Sequence, residues 1–296
     1  MDKSILKQKR KLGLSLGLIV LSSQVVFTLI ELLLKYLNIE ETETLTYIFN
    51  AFSLYVVSFL LVKLLLRKVE NVEPKPKVKL TFKKFMWYLF IAYGLGIFCA
   101  TFTNEIITMF SDLMNNEISD RVEEIMSNST PIPLILFVAI IGPIFEELMF
   151  RGLLLKKLRV YGDKTAIIYT GIAFGLFHTN LSQILFATII GMVFAYVVCK
   201  TNNIKYSILI HMIINLMGSI ATLVAVHGTD VMQIILSVIV IFITVAAIIT
   251  VPIKASKKDI EISNESKYDK KKLYNNIGYI ISCIIVVIIT VLAMIL

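Results

Sequence analysis

Three ionisable side chains stand where the sequence is otherwise fit for lipid: Glu146, Glu147 and Arg151, within Gly142-Pro143-Ile144-Phe145-Glu146-Glu147-Leu148-Met149-Phe150-Arg151-Gly152. A single charge at the centre of a bilayer costs at least about 2.5 to 3.5 kcal/mol on insertion scales, so such residues face a cavity or a partner. Glu147 and Arg151 are four residues apart and share a helix face, where they can pair. Glu146 lies about 100° further round the helix, which leaves it free for other work. Pro143 lacks an amide donor and crowds the carbonyl of Ala139, which predicts a bend just ahead of the acids and room for a wet pocket. Taken alone, this run fits a structural clamp between helices equally well.

Two of the three histidines fall in neighbouring apolar stretches. His178 closes Phe174-Gly175-Leu176-Phe177-His178, and His211 opens His211-Met212-Ile213-Ile214-Asn215. The i, i+4 spacing stacks Phe174 one turn from His178 and projects His211 and Asn215 from one side of their helix. A lone histidine within a membrane is more often a packing residue than a catalyst. Two of them with a carboxamide, beside paired acids, are harder to read as packing alone. His227, beside Gly228, reads as a loop residue, and Gln24 and Asn104 read as interhelical hydrogen-bonding residues.

The rest of the chain bounds what can position these groups. Of 296 residues, 57% are hydrophobic and 17% charged, with a mean hydropathy of +0.82. A soluble domain carries about a quarter charged residues, so this chain has too few to cover itself with water. Apolar runs of roughly 18 residues or more read as spanning helices, and the expected fold is an all-α polytopic bundle of eight to nine spans. The nine candidates are Leu12–Tyr36, Leu45–Leu66, Phe85–Phe110, Pro133–Leu155, Ala166–His178, Leu181–Cys199, Tyr206–Val226, Val231–Ile253 and Ile277–Leu296, the fifth being short.

Charge alternates between them. Basic connections occur at the N-terminus, Arg67–Lys84, Lys156–Lys164, Lys200–Lys205 and Lys254–Lys272; acidic ones occur at Glu40–Glu43, Asp112–Glu124 and Asp230. Positive loops belong in the cytoplasm, which places the N-terminus inside and, with nine crossings, the C-terminus outside. The net charge of +8 is spread among these loops as a topology signal and forms no nucleic-acid surface. Cys99, Cys199 and Cys283 are far apart and indicate neither a disulfide framework nor a metal motif. Residues 1–84 are expected to hold two spans and a basic linker, 85–253 a core with the motifs in 133–218, and 254–296 a lysine-rich segment with a last span. Val72–Lys79, with two prolines, reads as a solvated linker, and Ser111–Met126 as a surface amphipathic helix or an ordered loop. At 1.5 Å per residue from the inner loops, Glu146 lies roughly 18 Å deep, His178 21 Å, Asn215 15 Å and His211 9 Å, so one pocket in the cytoplasmic or middle part of the membrane can collect them.

The three motifs in their order, EExxxR at Glu146, Glu147 and Arg151, FxxxH at Phe174 and His178, and HxxxN at His211 and Asn215, resemble the CPBP family. That family joins the type II CAAX prenyl proteases (the Rce1 group) to bacterial Abi proteins linked to bacteriocin processing and self-immunity. The resemblance covers about residues 133–218. It implies a core usually of eight spans, from which a ninth is a departure. It also implies that Glu146 activates water with His178, that His211 and Asn215 stabilise the oxyanion, and that Glu147, Arg151 and Phe174 support them. The implied mechanism needs no obligatory cofactor. A zinc ion held by Glu146, His178 and His211 is the alternative, though the HExxH helix that would favour zinc is missing. Serine-elbow chemistry is not expected, and no aspartate lies in a candidate span to build an aspartyl dyad.

The expected activity is therefore cleavage of a membrane-associated peptide or protein near the cytoplasmic side. By resemblance the substrate is a prenylated CaaX chain or, for a protein of the bacterial plasma membrane, a leader peptide, pheromone or bacteriocin precursor. A non-catalytic immunity or scaffolding protein is the alternative, and a transporter a third, weakened by the missing internal repeat. The partners are the lipid bilayer and a peptide, not nucleic acid; oligomeric state leaves no mark in the sequence.

Overall fold

The computed structural model describes residues 3–73, 75–114, 129–256, 262, 265–271 and 273–295, and all regular structure among them is helical. In chain order the helices are α1 (Lys3–Tyr36), α2 (Glu43–Leu66), α3 (Phe82–Met114), α4 (Pro131–Tyr161), α5 (Asp163–Phe177), α6 (Leu181–Thr201), α7 (Ile204–His227), α8 (Asp230–Ser256) and α9 (Ile277–Ile295). Seven of them, α1 to α4 and α6 to α8, are long and apolar enough to cross a bilayer. Helix α5 has 15 residues, about 22 Å of rise, and most of its side chains are buried by neighbours. The shortness expected of the fifth run is thus accommodated by packing inside the bundle. The all-α polytopic architecture is as expected; α3 ends at Met114, and the remainder of Ser111–Met126 lies outside the described residues.

Polar residues set the helix ends. Asn180 accepts from the Ser182 amide to start α6, and Asn203 accepts from Lys205 to start α7, each satisfying one of the donors a helix start leaves over. Asn202, at φ 50, ends α6 in the left-handed region. Between helices, small residues do the work that burial from water does elsewhere, because lipid tails are as apolar as leucine. Gly171 and Gly175 of α5 fit against Met192, Thr188 and Ile184 of α6, closing a tight hairpin whose apex is Thr179-Asn180. Gly13 and Gly17 of α1 fit against Gly278 and Ser282 of α9, where Ser282 Oγ donates to Gly13 O at 2.6 Å and accepts from Gly17 N at 2.8 Å. The same stretch reads Gly13-Leu14-Ser15-Leu16-Gly17, which has the letters of a serine elbow; the buried Ser15 hydroxyl, however, donates to Leu12 O within the helix and serves packing.

Two connections cross one end of the bundle. The linker 67–81 donates from Val72 N to Lys156 O at 3.1 Å and from Val78 N to Thr201 O at 2.8 Å, and Leu80 N donates to Tyr206 Oη at 3.0 Å. Its side chains are mostly exposed, as expected of a solvated linker, while its backbone is tied down. The tail follows it. Lys267 N donates to Val160 O, Lys9 Nζ donates to Asp269 O and Lys271 O, and Glu70 pairs with Lys267 and accepts from Tyr268 Oη.

Candidate functional site

Helix α4 is wound in alternating fashion. Residues 134–141 and 148–155 have the wide i to i−5 winding, and Gly142–Glu147 between them is α-helical. Wide turns of this kind concentrate at functional sites. Pro143 bears on the first of the two stretches. The Gly142 amide reaches back five residues to Phe137 O, and the same reach from position 143 would meet Val138 O, but proline has no donor. Asn215 of α7 supplies one: its Nδ2 donates to Val138 O at 2.9 Å. The crowding expected at the Ala139 carbonyl is relieved by widening of the helix.

The next turn carries the acids. Glu147 and Arg151 are fully buried and pair at 2.7 Å, as their spacing predicts. The guanidinium also donates from Nη2 to Gly191 O at 2.8 Å and lies 4.4 Å from the Phe174 ring centroid and 5.2 Å from that of Phe194, within cation–π range. A Cβ on Gly191 would press on Phe174 and Arg151, so glycine makes the approach of α6 possible. Phe174 therefore cushions the cation, and its ring is also edge-on to His178 and His211.

Glu146 faces the other way, into a cavity of about 590 Å³ that Phe174, His178, His211 and Asn215 also line. Tyr55 Oη of α2 donates to Glu146 Oε1 at 3.0 Å, with its ring stacked on Phe145 at 5.3 Å. The second carboxylate oxygen, Oε2, lies 3.8 Å from His211 Nε2, too far for a direct hydrogen bond. His211 Nδ1 lies 3.3 Å from Glu147 Oε1, near enough for attraction but outside hydrogen-bond alignment. His211 thus bridges the ion pair and the free acid. His178 Nδ1 sits 2.8 Å from Phe174 O; a carbonyl only accepts, so Nδ1 carries the proton and Nε2 is left to accept.

All four residues expected to do chemistry line one cavity, and Glu147 and Arg151 lie behind it. Tyr55 was not singled out in the sequence; its only signal is a phenol in mid-span beside Ser53 and Ser58. Gln24, expected between helices, lines the cavity instead, with Asn50 and Gln183. Among the described residues no three His, Cys, Asp or Glu side chains are grouped so that they could hold a metal ion.

Comparison with known proteins covers the segment that holds these residues. Residues 128–217 match the family model described as type II CAAX prenyl endopeptidase Rce1-like. Over 102 residues the chain is 30% identical to a Bacillus subtilis (strain 168) protein named "Putative membrane peptidase YdiL", covering 33% of this chain and 41% of that protein. The matched region is thus less than half the length of that relative. No solved structure matches the chain.

Proposed function

We propose, from the match of residues 128–217 to the Rce1-like family model and the likeness to a bacterial protein named as a membrane peptidase, that this chain is an intramembrane endopeptidase of the CPBP/Rce1-like kind in which Glu146 activates water without a metal. The observation that carries the reading is the division of labour between adjacent acids. Glu147 is neutralised by Arg151, while Glu146 meets the cavity with one oxygen held by Tyr55 and the other turned toward His211.

In the reaction, Glu146 Oε2 takes a proton from water as its oxygen attacks the scissile carbonyl carbon. His178, whose Nε2 is its accepting nitrogen, aligns that water. The tetrahedral oxyanion receives hydrogen bonds from His211 Nε2–H and from the Asn215 Nδ2–H not used on Val138, a form of stabilisation that is commonly the largest single contribution to catalysis. Collapse breaks the C–N bond, and the proton on Glu146 passes to the leaving amine. Water is consumed and no redox partner is needed. The substrate is a peptide or protein segment reaching the membrane, of the CaaX kind or a leader, pheromone or bacteriocin precursor.

The test is cleavage of candidate peptides by purified protein in detergent. Glu146→Gln should lower kcat by about 100-fold or more, the usual worth of a positioned general base, and a chelator should leave wild-type cleavage unchanged. Wild-type kcat in the variant would remove Glu146 from the chemistry. Loss of cleavage on chelation, restored by zinc, would reject the metal-free route.

A further inference from the structure

We infer that the cavity, as the described residues bound it, is a well entered from the bundle end opposite the basic loops, so that the peptide it receives is presented on the extracytoplasmic face. Cleavage of that peptide rests on the hydrolase reading above; the direction of access does not.

Five of the six helices that line the well contribute residues from the half of the bundle away from the basic loops; α7, which starts at the basic end, contributes His211 to Gly218 from its middle. Helix α2 contributes Tyr47 to Tyr55 from the first half of Glu43–Leu66, and α4 contributes Phe137 to Glu146, ending midway along Pro131–Tyr161. Helix α6 contributes Gln183 to Ile190 from the first half of Leu181–Thr201, and α5 only its last turn. These parts meet at one end: Glu43 accepts from Thr130 N at 2.9 Å and Thr130 Oγ1 at 2.8 Å, and the Tyr47 and Ser129 hydroxyls are 2.8 Å apart. Glu146, at the mid-depth of its helix, and His211, nearer the basic end of α7, therefore form the floor of the well.

The opposite end is closed. The linker lies across Lys156, Thr201 and Tyr206, and the tail is fixed to Val160, Lys9 and Glu70. That end carries Arg67, Lys68, Lys156, Lys164, Lys200 and Lys205, whereas the connections at the mouth carry Glu40, Glu41 and Asp230. Lys/Arg-rich short loops remain cytoplasmic, so the mouth faces outward. The expected pocket in the cytoplasmic or middle part of the membrane is placed by distance from the inner loops, without the two segments that cover them.

The wall chemistry names the occupant. An extended peptide at membrane depth must have its backbone N–H and C=O groups satisfied. The well provides the side chains of Ser23, Gln24, Asn50 and Gln183, which offer donors and acceptors, between the rings of Phe27 and Phe137. That composition suits the main chain of an unfolded peptide segment more than a lipid tail.

Thiol accessibility decides the matter without any substrate. In a chain with Cys99, Cys199 and Cys283 replaced by serine or alanine, Asn50→Cys probes the well, with Gln24→Cys on the facing wall as its independent duplicate. Glu41→Cys and Lys77→Cys report the two faces. A membrane-impermeant thiol reagent should modify Asn50→Cys, Gln24→Cys and Glu41→Cys in right-side-out vesicles, and Lys77→Cys only in inverted ones. Modification of the well cysteines only in inverted vesicles, or from neither face, would overturn the inference. The same labelling in a Glu146→Gln background separates access from chemistry, since lost cleavage with unchanged labelling would count against the hydrolase reading alone.

Discussion

Tyr55→Phe removes one oxygen atom and leaves the ring stacked on Phe145, so it isolates the hydrogen bond that the phenol donates to Glu146 Oε1 at 3.0 Å. A hydrogen bond to a charged group is worth about 1.5 to 3 kcal/mol, and each 1.36 kcal/mol is tenfold in rate. If the bond holds the carboxylate in its reactive orientation, kcat should fall about 10- to 150-fold with KM nearly unchanged, because Tyr55 orients the base and its ring still fills the wall. The assay is steady-state peptide cleavage in detergent, run beside thermal unfolding to confirm that the midpoint moves little. A cycle with Glu146→Asp locates the effect: the shortened carboxylate no longer reaches the phenol, so Tyr55→Phe in that background should cost less than about threefold, the non-additivity expected of groups acting as a unit. Unchanged kcat in Tyr55→Phe, or an equal loss in both backgrounds, would refute the positioning role.

Arg151→Met leaves the fully buried Glu147 without its cation and should destabilise the protein by about 3 to 5 kcal/mol, while Glu147→Gln with Arg151→Met should recover part of that loss; thermal unfolding of the three proteins measures it. Gly175→Val must push α5 from Thr188 and Ile184 of α6, which should displace His178 and abolish cleavage before the fold is lost, as read by kcat against helical circular dichroism. The Lys267 and Tyr268 hydrogen bonds hold the Glu70 carboxyl below its ordinary value of 4.5. The tie between linker and tail is therefore in force above that pH and lost as pH falls below it. Limited proteolysis within 265–271 should accelerate on acidification, and Glu70→Gln should show the faster digestion already at neutral pH.

Charge in an apolar run was the most legible feature of this sequence, because the bilayer makes it costly. That cost exposed Glu146, Glu147 and Arg151, and the spacing of four fixed the ion pair correctly. The helical bundle followed from hydropathy for the same reason. Tyr55 stayed hidden because a phenol in mid-span carries no such penalty, and Gln24 and Asn50 because an amide can bond to a neighbouring helix as readily as line a cavity. The closure of one end was illegible for a different reason: part of it is made by backbone amides and carbonyls, such as Val78 N to Thr201 O, which every sequence possesses, and its side-chain members, Lys9, Glu70 and Tyr206, meet partners far away in the chain.

The Val138 carbonyl that Pro143 cannot serve, and that Asn215 serves from another helix, ties the tolerance of one position to the identity of another. With an ordinary residue at 143 the carbonyl would find its own helix partner, and the asparagine would be released toward the well. Exchange at either position alone should thus be felt more heavily than exchange at both, a form of epistasis written into two helices that never meet in the linear chain.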